Sequence, residues 1–350
     1  MDSTTIVRTK GERGALSIMA CDSGHEFAQR IVNHLNEIIN HESHSLPLRL
    51  INNEEIRFAN GEIKTVLNEN IRGDDHYVVQ CIDDPLSQRT VNDNLMALLT
   101  AINAAFQSDA DSITVVLPQF PYSRQERKKT REGITAKQVA QFIEISGANR
   151  VITLDIHAEA IMGFFTTAKL ENLHASNYLI NHFQKIYRNQ THDLVIAAAD
   201  VGGAERARYY SKQMKAHLAI VDKARDYSKK GVIESMRLVG EVDGKDVLIP
   251  DDMVSTGGTI INAAKLLRDK GAKNIYVSCS LPFFNGPAID LMNEAFESGL
   301  ITRVIGTDAV FHGPEFVKNT PWYDEVSIAP LFAEVIYNIN QKRSVSDLLR

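Results

Sequence analysis

Short apolar runs recur along the chain and alternate with stretches that have the residue spacing of amphipathic helices. The runs are HYVVQCI (76–82), SITVVLP (112–118), RVITLDI (150–156), DLVIAAAD (193–200), HLAIVD (217–222), DVLIPD (246–251) and NIYVSCS (274–280). Nearly continuous apolar strands of this kind are typical of a parallel sheet that is covered on both faces. The alternation of strand and helix therefore predicts an α/β fold built from open, mainly parallel sheets.

The intervening stretches carry capping residues that predict where helices begin and end. Asn92 or Asp93 can cap a first helix, Thr135 can cap a second that ends at Gly147, and a third helix ends at Gly271. The residues expected to face the core are Leu95, Leu98, Leu99, Ile102 and Phe106 in the first helix, Val139, Phe142 and Ile143 in the second, and Ile260, Ile261, Ala264 and Leu267 in the third.

Chain length favours two such sheets rather than one. The chain has 350 residues, whereas a single hydrophobic core seldom grows beyond roughly 250–300 residues. We therefore expect two α/β units in tandem.

Charge and cysteine usage restrict the partners and the compartment. A formal net charge of −6 gives no general attraction to polyanions, so we expect neither a nucleic acid nor a membrane as partner. No apolar run approaches the ~18 residues of a membrane span, and the first residues lack the apolar region of a secretory signal. Cys21, Cys81 and Cys279 lie in apolar stretches without CxxC spacing, which indicates reduced core residues in a cytoplasmic protein.

The stretch VLIPDDMVSTGGTII (247–261) has the composition of a sugar-phosphate loop. Its turn consists of Ser255, Thr256, Gly257, Gly258 and Thr259. A loop that leads from a strand into a helix N-terminus offers N–H donors and a positive dipole end to a phosphate. Asp251 and Asp252 would repel a phosphate, so we expect them to accept hydrogen bonds from sugar hydroxyls. A TGGT sequence alone more often marks an ordinary turn, and the two carboxylates favour the sugar-phosphate interpretation.

The loop PYSRQERK (121–128) follows an apolar run and carries cationic side chains. The guanidinium groups of Arg124 and Arg127 and the amide of Gln125 suit the phosphates and the adenine edge of ATP, although such a loop alone is more often merely solvated. The chain contains no GxxxxGK sequence, so a P-loop mechanism is not expected.

Two further residues at the ends of apolar runs could contact a metal ion. Asp200 ends the run DLVIAAAD and supplies the oxygen ligand that Mg²⁺ prefers. His157 follows the run RVITLDI and would be a less usual ligand for this ion.

Together these segments resemble the ribose-phosphate diphosphokinase (PRPP synthetase) family, and most of all its bacterial, phosphate-activated class. The matching segments are RFANGE (57–62), NENIRGDDHYVVQ (68–80), NDNLMALL (92–99), PYSRQERK (121–128), RVITLDIHAEAIMGFF (150–165), DVGGAERAR (200–208), VDKARD (221–226), the loop 247–261 and VSIAPLFAEVI (326–336). The resemblance implies two tandem domains of phosphoribosyltransferase type. It also implies transfer of the β,γ-diphosphoryl group of Mg-ATP to the anomeric hydroxyl of ribose 5-phosphate, which gives PRPP and AMP.

On this basis the chain is divided into four parts. We expect a loose N-terminal tail over 1–13, an N-terminal α/β domain on the ATP side over 14–166, and a phosphoribosyltransferase-like domain on the ribose 5-phosphate side over 167–325. Residues 326–350 are expected to form a C-terminal helix that packs back on the N-terminal domain.

The resemblance also implies roles for the candidate site residues. The implied ATP-binding residues are Phe58, Asn60, Glu62, Arg124, Gln125, Arg127 and His157, and the implied ribose 5-phosphate-binding residues are Asp200, Asp251, Asp252, Ser255, Thr256, Gly257, Gly258 and Thr259. His157 and Asp200 are the implied contacts of Mg²⁺, and Lys223 and Arg225, on a loop expected to be mobile, are the implied catalytic cations. By resemblance the protein is a homo-oligomer, a hexamer built from dimers, in which residues 58–62 reach into the ATP site of a neighbouring subunit.

Three departures from the family pattern keep an alternative function open. Asn60 stands where the family usually has Asp, Ala224 where it has Arg, and Ser255 where the bacterial enzymes generally have Asp. A catalytically silent, PRPP synthetase-like regulatory subunit is the main alternative. A phosphoribosyltransferase shares the loop 247–259 but gives no reason for the segments RFANGE and PYSRQERK.

Overall fold

The fold is given by a computed structural model that describes residues 10–42, 47–187, 193–225 and 233–349. The side chains of residues 10, 41–42, 223–225 and 233–235 lie outside this description. The chain divides into two compact units. The first contains the described residues up to His174 together with Ala309–Phe311 and those from Ser327 onward, and the second contains Ala175–Asp308 and His312–Val326.

The first unit is a mainly parallel sheet with a separate hairpin. Its elements up to His174 are β1 (Lys10–Gly11), β2 (Gly14–Ala20), α1 (His25–Glu42), β3 (Asn53–Arg57), β4 (Ile63–Leu67), β5 (Asp75–Val79), α2 (Val91–Gln107), β6 (Ser112–Val116), α3 (Thr135–Ser146), β7 (Arg150–Leu154) and β8 (Lys169–Leu173). The sheet order is β1-β2-β5-β6-β7-β8, parallel from β2 to β8, with β1 antiparallel at the edge. Strands β3 and β4 form a two-stranded antiparallel hairpin.

The predicted tail and helix caps differ in part from the structure. Residues 1–9 of the predicted tail lie outside the described residues, whereas Lys10 and Gly11 pair with β2. The N-cap of helix α2 is Thr90, two residues before Asn92 and three before Asp93, and Asp93 completes a capping box. Helix α3 begins at Thr135 with Ile134 as its N-cap, so the predicted cap at Thr135 was wrong, and it ends as predicted at Gly147, which has a left-handed φ of 119°.

Two aromatic side chains that were expected to be in the core are largely exposed. Phe106 is 57% exposed and Phe142 is 43% exposed. Phe106 packs over the glycine that ends α3, since a Cβ added at Gly147 would lie 2.8 Å from the Phe106 Cβ. It therefore covers the end of a helix instead of the sheet.

The second unit is also a mainly parallel sheet. Its elements are α4 (Ser176–Ile186), β9 (Leu194–Ala198), α5 (Ala204–Met214), β10 (His217–Arg225), β11 (Ile233–Val239), β12 (Asp246–Met253), α6 (Gly258–Asp269), β13 (Ile275–Leu281), α7 (Ala288–Glu297), β14 (Arg303–Thr307), α8 (Pro314–Asn319) and β15 (Tyr323–Val326). The sheet order is β11-β10-β9-β12-β13-β14-β15, and only the β10–β11 pairing is antiparallel among those described. The four residues of α6 that were predicted to face the core are all buried.

The strand order of the second unit contains a reversal between β9 and β12. From β9 the chain moves outward to β10 and β11, and it then returns to place β12 on the other side of β9. Ligands of open α/β sheets bind at the carboxyl ends of strands where the strand order reverses. The segments after β9 and β12 therefore meet where a ligand is expected.

A last helix, α9 (Ala329–Asn340), belongs to the first unit. The ring of Phe332 packs edge-on against Phe27 of α1, with centroids 5.3 Å apart. At the end of α9, the side-chain amide of Asn340 donates to Asp75 Oδ2 at 3.0 Å, and the backbone carbonyl of Asn340 accepts from the Arg13 N–H at 3.1 Å. The chain thus completes the first unit with residues that follow the whole second unit.

Candidate active site

The turn after β12 has the geometry of an anion-binding helix start. Gly257 is the N-cap of α6 and has a left-handed φ of 79°. The first N–H groups of a helix lack intrahelical acceptors, so the N-terminus of α6 presents donors beside this turn. Ser255 is half-buried, while Thr256 and Thr259 are exposed, so the hydroxyls of both threonines reach solvent.

The two carboxylates at the end of β12 are held by the backbone. Asp251 Oδ1 accepts from the Asp252 N–H at 2.9 Å, and Asp252 Oδ1 accepts from the Met253 N–H at 3.0 Å. Burial and the neighbouring charge of Asp252 raise the pKa of Asp251 well above its ordinary range. The two side chains form one coupled acidic pair.

An arginine that was not among the predicted site residues lies beside Asp251 and Asp252. Arg206 Nη1 on α5 lies 3.5 Å from Asp252 Oδ1 and 3.7 Å from Asp251 Oδ1. Arg206 lies in the segment DVGGAERAR that follows β9, and this segment was noted only for its family resemblance. The signal available in the sequence was its place shortly after Asp200, and in the structure it lies in the first turn of α5.

Asp200 follows β9 on the neighbouring side of the strand-order reversal. It is the N-cap of the short 3-10 helix Val201–Gly203, and its Oδ1 accepts from the Gly203 N–H at 3.1 Å. The sequence-predicted sugar-side residues therefore all lie in two adjacent segments, after β9 and at the end of β12.

The predicted catalytic cations lie on a strand and not on a loop. Lys223 and Arg225 are in β10, where Lys223 is opposite Met236 and Arg225 is opposite Ile233 in β11. The register shifts between Ala224 and Arg225, so strict alternation of side chains is interrupted there. The expectation of a loop was wrong for residues 223–225, whose backbone pairs with β11, whereas residues 226–232 lie outside the described part of the chain. The mobility and the catalytic role of this segment stay predictions.

In the first unit, residues 58–62 form the exposed tip of the β3–β4 hairpin. Phe58 is 48% exposed, its N–H donates to the Glu62 carbonyl at 2.9 Å, and the Glu62 N–H donates to Asn60 Oδ1 at 3.2 Å. Gly61 has a left-handed φ of 89°, which closes the turn. The tip is therefore shaped by its own backbone and presents Phe58 and Glu62 outward.

The stem of this hairpin is anchored by a charged network. Glu55, whose side chain is 2% exposed, accepts from Arg57 Nη2 at 2.7 Å and from Arg89 Nη1 at 3.1 Å. Arg89 Nη2 also donates to Asp22 Oδ2 at 2.6 Å. A nearly buried carboxylate with two guanidinium partners fixes the hairpin to the rest of the first unit.

Arg124, Gln125 and Arg127 lie in the exposed loop after β6. The Gln125 N–H donates to the Tyr122 carbonyl at 2.8 Å, and the Gln125 carbonyl accepts from the Ala136 N–H at 3.4 Å, at the start of α3. Arg127 is paired with Glu126 at 3.2 Å. The loop backbone is thus held at Gln125 while its cationic side chains remain exposed.

His157 lies after β7, the strand next to β6, so it is at the same edge of the sheet as this loop. His157 is exposed. Two residues earlier, the buried Asp155 has its Oδ1 in a hydrogen bond with His174 Nδ1 at 2.8 Å. Asp155 has a positive φ of 38°, a strained value for a residue other than glycine. The backbone therefore turns sharply just before His157.

The segment beyond His157 is fixed by one carboxylate. Glu144 Oε1 accepts from the backbone N–H groups of Thr166, Thr167 and Ala168 at 2.8, 2.6 and 2.8 Å. Burial alone would raise the pKa of Glu144, but these donors outweigh it, and the pKa lies below its ordinary value.

No group of three or more His, Cys, Asp or Glu side chains that could hold a metal ion occurs within the part of the chain that is described. Among the helices described, none is long and apolar enough to cross a membrane.

Comparisons with known proteins follow the same division of the chain. The N-terminal domain of ribose phosphate pyrophosphokinase matches residues 16–147, and the phosphoribosyl transferase domain matches residues 167–294. The ribose-phosphate pyrophosphokinase of Listeria ivanovii is 37% identical over 337 residues, which cover 95% of this chain and 96% of the relative. That of Chlorobaculum tepidum is 40% identical over 292 residues, which cover 83% of this chain and 85% of the relative.

A solved structure is also similar over nearly the whole chain. The crystal structure of phosphoribosylpyrophosphate synthetase from Mycobacterium smegmatis superposes with a TM-score of 0.81 at 30% sequence identity. The superposition covers 93% of this chain and 99% of that one.

Proposed function

The chain belongs to the ribose-phosphate pyrophosphokinase family and is an enzyme of that activity, and from this premise we propose which of its residues bind each substrate. The reaction transfers the β,γ-diphosphoryl group of ATP to the anomeric hydroxyl of ribose 5-phosphate and yields PRPP and AMP. Each unit supplies residues whose chemistry suits one of the two substrates.

Ribose 5-phosphate binds to the second unit, and the reversal of strand order between β9 and β12 is the observation that carries this assignment. Ser255, Thr256, Gly257, Gly258 and Thr259 surround the 5-phosphate, because this turn leads into the N-terminus of α6. Asp251 and Asp252 accept hydrogen bonds from the 2- and 3-hydroxyls, and Asp200, on the adjacent segment, approaches the same sugar. Donors thus face the phosphate and acceptors face the hydroxyls.

ATP binds to the first unit. Arg124, Gln125 and Arg127 hold its phosphates and adenine, with His157 at the same edge of the sheet. The exposed hairpin tip, with Phe58, Asn60 and Glu62, completes the ATP site of a neighbouring copy. This role is supported by a tip that projects outward from a firmly anchored stem.

Lys223 and Arg225 stabilise the negative charge that develops on the diphosphoryl group and on the leaving AMP. Positive charge aimed at these oxygens lowers the barrier without taking part in covalent chemistry. Both residues lie on β10, next to β9 in the sheet, and the role rests on the family to which the chain belongs.

Mg²⁺ fits the donors of this chain as a cofactor held mainly by substrate. Mg²⁺ is usually bound through one or two carboxylates together with substrate phosphates and water, so it needs no cluster of protein ligands. Asp200 would hold it, and one oxygen of Asp200 is already oriented by the Gly203 N–H. His157 is a proposed contact of the ion on the family resemblance alone. When bound, Mg²⁺ would neutralise charge on the ATP phosphates.

The assembly and compartment are proposed on the same basis. The outward hairpin tip fits a homo-oligomer, a hexamer built from dimers, and the net charge of −6 gives no general attraction to nucleic acid or to membranes. Three free, buried cysteines are compatible with a reducing cytoplasm.

The test is an assay of purified protein with Mg-ATP and ribose 5-phosphate, in which AMP, ADP and PRPP are measured together. We expect AMP and PRPP in equal amounts and no accumulation of ADP. Stoichiometric ADP would indicate an ordinary kinase, and no product would indicate the silent regulatory subunit that Asn60, Ala224 and Ser255 allow. A phosphoribosyltransferase would consume PRPP with a base and would need no ATP.

A further inference from the structure

We propose that Arg206 is a positioning residue that orients the carboxyl groups of Asp251 and Asp252 and thereby sets the selectivity of the enzyme for the ribose hydroxyls. The inference rests on the proposed binding of ribose 5-phosphate in the second unit. Nothing in the family resemblance or in the comparisons gave Arg206 a role.

The first observation is the position of one guanidinium nitrogen between two carboxylates. Arg206 Nη1 is 3.7 Å from Asp251 Oδ1 and 3.5 Å from Asp252 Oδ1. Both distances exceed those of a good hydrogen bond, so the contact acts mainly through charge. The three side chains are only 23%, 23% and 11% exposed, and this charge is therefore less screened than on an open surface.

The second observation is the orientation of the carboxylates. Consecutive residues of a strand ordinarily point to opposite faces of the sheet. Here the Oδ1 atoms of Asp251 and Asp252 each accept from the N–H of the following residue, at 2.9 and 3.0 Å, and both lie within reach of Arg206. Fixing one oxygen of a carboxylate fixes its plane and hence the direction of the other oxygen. Arg206 and the backbone thus determine how the pair meets a sugar.

The third observation is the balance of charge at Asp251 and Asp252. Burial and mutual repulsion favour the protonated form of one of the two carboxyls, and the charge of Arg206 opposes this. A protonated carboxyl offers fewer acceptors, so loss of Arg206 would weaken hydrogen bonds from the sugar hydroxyls. A site built to hydrogen-bond a hydroxyl discriminates strongly against an analogue that lacks it. Arg206 therefore increases the preference of the enzyme for ribose 5-phosphate over 2-deoxyribose 5-phosphate.

Arg206→Gln, Arg206→Lys and a matched control, Arg208→Gln, test this role. Arg208 lies on the same helix and is exposed. Arg206→Gln should raise the KM for ribose 5-phosphate by about 10–100-fold, the effect of losing a charged contact, and leave the KM for ATP within about twofold. The ratio of kcat/KM for ribose 5-phosphate over 2-deoxyribose 5-phosphate should fall, Arg206→Lys should recover part of it, and Arg208→Gln should match the wild type.

The proposal is overturned if Arg206→Gln resembles Arg208→Gln in both KM and discrimination. It is also overturned if both substrates lose activity in proportion while the Tm without ligand falls, because Arg206 would then only support folding. The rise in Tm on addition of ribose 5-phosphate gives a readout that is independent of turnover. If the wild type forms no AMP, the proposed function fails, while a smaller ligand-induced rise in Arg206→Gln than in the wild type would still support the role of Arg206 and an equal rise would refute it.

Discussion

Replacing Gly257 by Ala should damage the phosphate-binding turn through backbone strain. Gly257 has φ 79° and ψ −17°, a left-handed conformation that costs a residue with a Cβ roughly 1–2 kcal/mol. The added methyl would also lie 3.2 Å from Met292 Cε. That contact is minor, because the end of a methionine side chain moves easily. The cost of the left-handed backbone conformation therefore sets the size of the effect.

The strain can appear in stability, in substrate binding or in both. If the turn keeps its shape, the free energy of unfolding of the second unit falls by the full ~1–2 kcal/mol, and its Tm falls by about 2–8 °C. If the free turn relaxes instead, binding must restore the left-handed conformation, and the KM for ribose 5-phosphate rises by about 5–30-fold. The KM for ATP should stay near the wild-type value. Gly257→Val should be more severe, since β-branched residues tolerate this conformation least.

Gly258→Ala is the matched stability control. It adds the same methyl group one residue later, where φ is not left-handed and a Cβ would meet nothing within 4 Å. Because Gly258 begins α6, alanine should leave the Tm unchanged or raise it. Thermal unfolding and steady-state kinetics on both variants settle the comparison. Wild-type Tm together with wild-type KM for ribose 5-phosphate in Gly257→Ala would refute the role given to this turn.

Three further predictions concern charge. Lys223→Ala should lower kcat by ~10²–10⁴-fold with little change in KM, as for loss of a preorganised electrostatic contact. Arg225→Lys should have a lowered kcat because a point charge lacks the guanidinium fork, whereas Lys229→Ala should have nearly wild-type activity. A change confined to KM in steady-state kinetics would contradict these roles. Mixing an inactive Glu62 variant with inactive Lys223→Ala should restore some AMP formation if the hairpin tip completes a neighbour's site, whereas full activity of a species shown to be monomeric by light scattering would exclude it. Glu144→Gln should lower the Tm at pH 7, and the difference in Tm from the wild type should shrink as the pH falls below about 4. A carboxyl whose pKa is lowered by folding stabilises the folded state while it is ionised, and this stabilisation is lost when it is protonated at low pH. A Tm difference that does not depend on pH would contradict this role of Glu144.

Features of the sequence were sufficient to predict the sheets and the turn that leads into α6. Continuous apolar runs correspond to buried central strands, and the apolar stripe of α6 is buried as expected. The turn at 255–259 was recognisable because only a few residue types combine backbone freedom with hydroxyl donors. The predicted α/β architecture and the predicted family are both confirmed.

Features that depend on neighbours distant in sequence could not be predicted in this way. The contact of Arg206 with Asp251 and Asp252 arises because β9 and β12 are adjacent in the sheet although two strands separate them in the chain. Capping was ambiguous for a local reason, since Thr90, Asn92 and Asp93 can all cap a helix and only the final geometry selects Thr90. The end of β10 was likewise not predicted as a strand, because edge hairpins can carry charged residues that resemble a solvated loop.

The position of α9 sets the order in which the protein can be completed during synthesis. This helix contributes Phe332 and Asn340 to the first unit, but the ribosome makes it only after every strand of the second unit. A nascent chain that stops near His174 therefore lacks the cover for Phe27 and the amide partner of Asp75. The second unit has the opposite property, since nearly all of it emerges as one continuous stretch. Gene fragments cut between the units should accordingly yield the second unit more readily than the first.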